Sequence, residues 1–573
     1  MSSRRSLSAW FAAVAAAGLL TLSGCGGGSS SDGGGGTTPT PGGPQGSLSI
    51  GLTGGVPIGT QHVWVTVDAI AFNADADRAW SASDSTWQVI RLATPKTIDL
   101  GASVNGVLSP LITGTTIAAG DYAQVRLFLV RPDDVLADSA KTAKLSWNTQ
   151  VDYVDAAGAT QHVPLEVFSG QLGIRAAGAF SVSSTVATEL TFQLDIAKTL
   201  ARVASDDGVD RFVLRPELRV YDVAKTGAII GILDKSVFCA AGVTTGCVYD
   251  VVATAQRPSE DGLSMVAVRS TPVVIGDTYA AFALYPLPAL PAGQGFDVVI
   301  HGRNMRTMIV RAVPAAAEDL LAANPTQLGV DMTDPMHPVA VPLVPQLSAA
   351  GDASVTLATP ALPKSASLRF SQTLPGTDDL PREVLSVATD PFTGGFARAV
   401  PVPSGPLRVA TYSNGGPLAF SDVTPAEGTD SYTLTTVGTR YDFERSGIVS
   451  APGGTSVALT PTDTSRRAGL TPAAVTITVS ASPANYDAVE LIVSDVAGVV
   501  LTQDVTPSAS GTSVTVNLPA GTYAQQLGGT AVYMVYARGW KRSSPAATLH
   551  WARGGSLVDL RDATSASVSV SLP

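Results

Sequence analysis

The chain has 573 residues, with 36 Lys and Arg against 47 Asp and Glu, a formal net charge of −11, and charged residues make up only 14% of it. Hydrophobic residues at 45%, with 56 glycines and 38 prolines, are enough to build cores and exclude a coiled coil, a collagen and a wholly disordered chain. The acidic balance argues against a dedicated nucleic-acid binder, because phosphate contacts need a surplus of Lys and Arg.

The first 45 residues read as an address. Arg4 and Arg5 precede an apolar run from Ala9 to Leu20, and Leu22, Ser23, Gly24 and Cys25 follow. A charged start, an apolar middle and a small-residue cleavage site make residues 1–24 a signal peptide. The apolar run is short for the ~20 residues that a bilayer span needs. The Leu-Ser-Gly-Cys tetrad resembles the lipobox of bacterial lipoproteins. That resemblance implies that Cys25 carries a diacylglyceryl group, with palmitate-type chains, and becomes the mature N terminus. Each buried CH₂ contributes about 0.8 kcal/mol, so two or three acyl chains give a lasting lipid anchor. Gly26 stands where an Asp would be the usual signal for inner-membrane retention, which points to the outer membrane of a Gram-negative cell. Ser3-Arg4-Arg5-Ser6-Leu7 faintly resembles a twin-arginine signal. Residues 25–45, Gly, Ser, Thr and Pro with Asp32 among them, predict a flexible tether whose ends lie about 25 Å apart.

Beyond residue 45 short alternating runs dominate. His62-Val63-Trp64-Val65-Thr66-Val67, Val125-Arg126-Leu127-Phe128-Leu129, Phe212-Val213-Leu214-Arg215 and Val475-Thr476-Ile477-Thr478-Val479 each alternate, and Ala566, Val568, Val570 and Leu572 take every second place. Such runs between turn signals predict an all-β fold of tandem Ig-like or transthyretin-like β-sandwich modules. Ala315 to Ala323 predicts one short helix. Glycine turns at Gly120, Gly293, Gly405 and Gly521, each before an apolar strand, suggest one module in each quarter. The expected modules are 46–224, 225–345, 346–449 and 450–573.

In the first module, Gly46-Ser47-Leu48-Ser49-Ile50 opens a strand and His62 to Phe72 follows, then Thr97-Ile98-Asp99-Leu100. Ile117 to Leu127, with Gly120-Asp121-Tyr122-Ala123-Gln124-Val125-Arg126-Leu127, comes next, and Leu214 to Val220 closes the module. This order resembles the bacterial lipoprotein family called domain of unknown function 4382, over roughly residues 46–222. The Ile-Asp-Leu and Gly-x-Tyr-x-Gln-Val-Arg-Leu pieces carry the resemblance, and Gly54-Gly55 departs from the Asp-Ala usual there. The family implies no catalytic residue. Gly227-Ala228-Ile229-Ile230-Gly231, Phe282 to Leu287 and Gly295 to Ile300 are similar to the carboxypeptidase-regulatory-like, transthyretin-type sandwich, which implies a spacer or binding scaffold.

Motifs for chemistry are missing. His62, His162, His301, His337 and His550 show no His-x-x-x-His spacing, and neither a Gly-x-Ser-x-Gly elbow nor a Gly-Lys-Ser/Thr phosphate loop occurs. Asp75 with Asp77, and Asp206 and Asp207 with Asp210, lack the calcium-loop pattern and read as solvated loop carboxylates. Neither catalytic residues nor metal ligands nor a cofactor are expected. With Cys25 assigned to lipid, Cys239 and Cys247 remain as an even pair and are expected to form a disulfide in an oxidising compartment.

The densest side-chain chemistry is C-terminal, where Tyr533, Tyr536, Arg538, Trp540, Lys541, Arg542, His550, Trp551 and Arg553 fall on a strand pair around a basic tip. Period 2 puts Tyr536, Arg538 and Trp540 on one face. Read one way, Tyr536, Arg538, Trp540 and Trp551 form an exposed surface for stacking on a sugar ring; read the other way, they are an aromatic core. The sequence therefore points to an outer-membrane lipoprotein of the bacterial envelope, facing the periplasm or the surface. It is expected to be a non-catalytic binding or structural protein that contacts a glycan or a protein partner. The alternatives are an envelope hydrolase or its accessory subunit, and a surface adhesin.

Overall fold

The structure is a computed structural model that describes residues 43–573 apart from short stretches, the longest of them 204–209, 316–324, 358–365, 458–470, 522–530 and 544–548. The expected signal peptide, Cys25 and nearly all of the tether lie outside the described residues, as does all but the first residue of the expected Ala315–Ala323 helix. The described chain is nearly all β, as the alternation predicts. No described helix is long and apolar enough to cross a membrane.

Among the described residues, twelve of the strands from Gln45–Thr53 to Leu218–Asp222 build one sheet, and Gly120–Tyr122 and Phe180–Val182 pair separately. Gln45–Thr53 runs parallel to Thr188–Gln193 and antiparallel to Ser109–Ala118. His62–Asn73 pairs with Gln88–Asp99, Gln124–Leu129 and Gln150–Val154 in turn. Its Val63, Val65 and Val67 are completely buried in a core shared with Leu48, Ile50, Val125, Leu127 and Phe192. The alternate residues of these strands face away from that core, and there they meet loops and other parts of the chain.

After residue 225 a four-stranded sheet built on Thr226–Leu233 and Ala280–Pro288 packs on a ten-stranded sheet. Ile229, Phe282 and Leu284 of the first meet Ala253, Val298, Ile300 and Val310 of the second in one core. The ten-stranded sheet draws strands from both sides of residue 345: Leu407–Thr411 pairs in parallel with Met308–Val313, and Arg382 of Pro381–Ala388 pairs with Met265 of Met265–Pro272. The expected boundary near residue 345 is thus no break in the sheet. Cys239 and Cys247 are disulfide-bonded, and Asn304 Nδ2 donates to the carbonyls of Thr244 and Cys247 at 2.9 and 3.0 Å to pin the loop that they close.

His301, in Phe296–Arg303, is buried, and burial pushes its imidazole down from 6.5 to about 4 while Glu383 pulls it up. A histidine whose folded value lies below its unfolded one supports folding above the unfolded value. That support is lost as pH falls from 6.5 towards about 4. The shift corresponds to about 3 kcal/mol. Urea unfolding is expected to show falling stability across this interval, and His301→Gln to flatten the fall; an unchanged slope would contradict it.

In the C-terminal part, Thr471–Ser480 lies between Thr512–Ala520, antiparallel, and Ser565–Ser571, parallel. Opposite them, Ala488–Asp495 and Val532–Trp540 lead a five-stranded sheet. Val475, Ile477 and Val479 meet Leu491, Val493, Tyr533 and Val535 in a shared core. The remaining face of Val532–Trp540 turns towards the first part of the chain.

Candidate functional site

Tyr536, Arg538 and Trp540 do share a face, but the exposed stacking surface expected of them is corrected by the structure. Tyr536, Arg538 and Trp551 are only 6, 1 and 5% exposed, and Trp540 alone is half-buried. Their face is covered by other parts of the chain. Tyr536 and Met534 pack with Leu172, Ala201, Val213, Ala388 and Ile492. Arg538 Nη1 donates to Glu166 Oε1 at 2.6 Å and its Nε to Glu490 Oε2 at 2.7 Å. Its guanidinium lies 4.9 Å from the Phe392 ring and 5.4 Å from that of Trp540. The Trp551 amide donates to Asp133 Oδ2 at 3.2 Å, and its ring meets Trp147 edge-on at 6.4 Å. These residues join three stretches of the chain, and Tyr536, Arg538 and Trp551 are buried in the junction.

Beside this junction an open cleft of about 320 Å³ separates the loop after His62–Asn73 from the strand ends around Val532 and Leu557. Arg78, Trp80, Ser81 and Asp84 form one wall, and Asp559 and Arg561 part of the other. Trp80 is half-buried; its ring packs 4.6 Å from Phe128 and edge-on to Trp87 at 5.1 Å. Arg78 Nε donates to Asp84 Oδ2 at 2.6 Å, and Arg561 Nε to both Asp559 oxygens at 2.9 and 3.1 Å. The hydrogen bond from Arg78, followed by those from Thr86, holds the Asp84 carboxyl down at about 2. Arg561 likewise lowers Asp559. The walls therefore present two cations and two carboxylates in matched pairs, with one tryptophan among the lining residues. Such a set offers donors and acceptors together and no surplus charge.

Trp80, Arg78 and Arg561 escape sequence reasoning because the two walls come from opposite ends of the chain. The Ala, Ser and Asp around Trp80 carry no period. The only signal was an isolated tryptophan in a polar loop, which attracts pockets and cores alike. Elsewhere, Asp210 pairs with Arg202, and the Asp75 amide donates to Asn73 Oδ1 at 2.8 Å; Asp77, Asp206, Asp207 and Arg553 lie outside the described residues. No group of three or more His, Cys, Asp or Glu is placed to hold a metal among the described residues. Asp99 of the Ile-Asp-Leu piece hydrogen-bonds His62 Nδ1 at 2.6 Å and accepts from the Gly101 amide at 3.0 Å, so it fixes a strand end and a side chain.

No curated protein matches the chain. Among solved structures it is similar to the shaft pilin SpaA from Lactobacillus rhamnosus GG, at 10% identity and a TM-score of 0.15, over 39% of this chain and 98% of that one. The Bacillus anthracis TIE protein matches at 8% identity and a TM-score of 0.13, over 90% and 69%. The pilus adhesin SpaC from Lactobacillus rhamnosus GG matches at 10% identity and a TM-score of 0.14, over 89% and 56%. Superpositions this loose carry no argument about role. Residues 45–216, which form most of the twelve-stranded sheet and the Trp80 wall of the cleft, match the family model described as Domain of unknown function (DUF4382).

Proposed function

We propose that the protein is a lipid-anchored component of the bacterial outer membrane that binds a saccharide without catalysis, in the cleft between the Trp80 loop and the Asp559–Arg561 wall. Acylated Cys25 and the Gly/Ser/Pro tether hold the folded part near the membrane and let it reorient, and the carboxypeptidase-regulatory-like sandwich after residue 225 serves as a spacer. The observation that carries the reading is that the half-buried Trp80 lines one cleft together with the Arg78–Asp84 and Arg561–Asp559 pairs. An aromatic plane stacks on the apolar face of a sugar ring, and paired guanidinium and carboxylate groups serve vicinal hydroxyls as donors and acceptors.

The detergent-solubilised full chain is to be titrated with peptidoglycan fragments and envelope oligosaccharides, with binding followed by tryptophan fluorescence. Loss of one stacking aromatic from a nucleic-acid base costs roughly 1–3 kcal/mol. On that guide Trp80→Ala weakens binding about 5- to 150-fold, with the chain still folding cooperatively in urea at a somewhat lower midpoint because the ring also packs on Phe128 and Trp87. Binding that survives the substitution, or no binding by any of these glycans, defeats the proposal.

A further inference from the structure

The residues that carry the family resemblance are spent in an unexpected way. In Gln124–Leu129, Val125 and Leu127 enter the core of the first sheet, while Gln124, Arg126 and Phe128 alternate with them and face the cleft loop. Gln124 is 1% exposed, and its Nε2 faces the carbonyl oxygens of Asp75, Ala76 and Arg78 at 3.2, 3.1 and 3.0 Å. Its Oε1 accepts from Arg126 Nε at 2.8 Å. Arg126 also donates from Nη1 to the Leu172 carbonyl at 2.7 Å and lays its guanidinium 5.4 Å from the Trp87 ring. Trp87 in turn donates from Nε1 to the Ala79 carbonyl at 3.2 Å and meets Trp80 edge-on.

We infer that Gln124 and Arg126 are positioning residues for the cleft, holding the backbone of Arg78 and the ring of Trp80 in their ligand-ready places. The inference rests on the binding reading for its ligand, but its geometry stands apart from it. Two observations favour this over a purely structural role. Arg126 is 4% exposed and its hydrogen bonds go to neutral oxygens, so it gives up solvation without the gain of an ion pair; burial lowers its guanidinium to about 9, with Arg175 pushing the same way. Apolar residues would fill that face at less cost if filling it were all that was needed. The packing also leaves no slack. Gly173 has φ +71°, and a Cβ there would lie 2.9 Å from both Arg126 Cβ and Phe128 Cζ, the second of which belongs to the ring under Trp80.

The test compares Gln124→Leu with the unaltered full chain. Leucine keeps the bulk and removes the donors to three carbonyls. Hydrogen exchange of the amides of residues 75–87, read without ligand, is expected to speed up at least tenfold while exchange in the strands around Val475 stays as it was. Affinity for the peptidoglycan fragment that binds the unaltered chain is expected to fall at least tenfold. Arg126→Lys keeps a cation but cannot reach Gln124 and Leu172 while lying on Trp87, so it gives the same loop loosening, and it decides the matter if Gln124→Leu does not fold. Unchanged loop exchange in a folded variant overturns the inference even where saccharide binding is intact. Loosened exchange in a chain that binds none of the glycans upholds the positioning and defeats the saccharide reading alone.

Discussion

Arg538→Ala is expected to lower stability by about 3–5 kcal/mol, the range seen when one member of a buried ion pair is removed. Arg538 and Glu166 are each 1% exposed in their side chains, and Arg538 also reaches Glu490. Alanine leaves the Glu166 carboxylate buried beside Arg211 alone, whose Nε lies 3.3 Å away. It also opens a cavity between Phe392 and Trp540, where the guanidinium is sandwiched. The double variant Glu166→Gln/Arg538→Met removes both charges and keeps the bulk, so it is expected to recover part of the loss. Urea unfolding of the two variants checks this. If Arg538→Ala unfolds at the urea concentration of the unaltered chain, the pair does not hold the C-terminal part against the first.

Glu383→Ala is expected to cost a similar amount, about 3–5 kcal/mol. Glu383, in Pro381–Ala388, sits where three stretches of the chain meet. Its Oε1 lies 3.1 Å from Lys198 Nζ, and its Oε2 accepts from the Ala267 amide at 3.3 Å and lies 3.2 Å from Arg369 Nε. Without it Arg369 and Lys198 lose this buried carboxylate, and Lys198 keeps Asp195, which also faces the buried Arg269. Burial works to raise the Glu383 carboxyl, yet Lys198 and Arg369 hold it below its ordinary 4.5. A lowered carboxyl supports the fold above its unfolded value, and that support is lost as pH falls through the folded one. The difference between Glu383→Ala and the unaltered chain is therefore expected to shrink below about 4.5. A difference independent of pH would show that Glu383 acts by packing alone.

How much of this was legible in the sequence depends on the distance over which each feature is set. Alternation is local, so Val63, Val65 and Val67, or Val475, Ile477 and Val479, announce their strands and their buried face. The cysteine pair is local too, and Cys239 and Cys247 are joined. Register is not local: nothing in Gln45–Thr53 says that it runs parallel to Thr188–Gln193. The C-terminal residues show the same limit. Period 2 places Tyr536, Arg538 and Trp540 together, but what covers them is Leu172, Val213 and Phe392, all more than a hundred residues earlier in the sequence, and an Arg among aromatics suits a ligand surface and a buried junction equally. Gln124 and Arg126 stood out as family-like residues, yet their purpose needed the loop geometry at Asp75, Ala76 and Arg78.

The parallel pairing of Ser565–Ser571 with Thr471–Ser480 sets the order in which the chain can assemble. Thr471–Ser480 contains no charged residue and alternates Ala473, Val475, Ile477 and Val479 with Ala474, Thr476 and Thr478, a composition that pairs readily with any other open strand. As a chain is threaded out N terminus first, the first sheet can close once Leu218–Asp222 has emerged. Thr471–Ser480 instead waits with one flank bare until a further 85 or more residues have arrived, roughly the gap between the two strands. Arg538 and Glu166, 372 positions apart, can meet no earlier than that same interval. The C-terminal part is thus the last to fold and the most exposed to wrong partners while it does so.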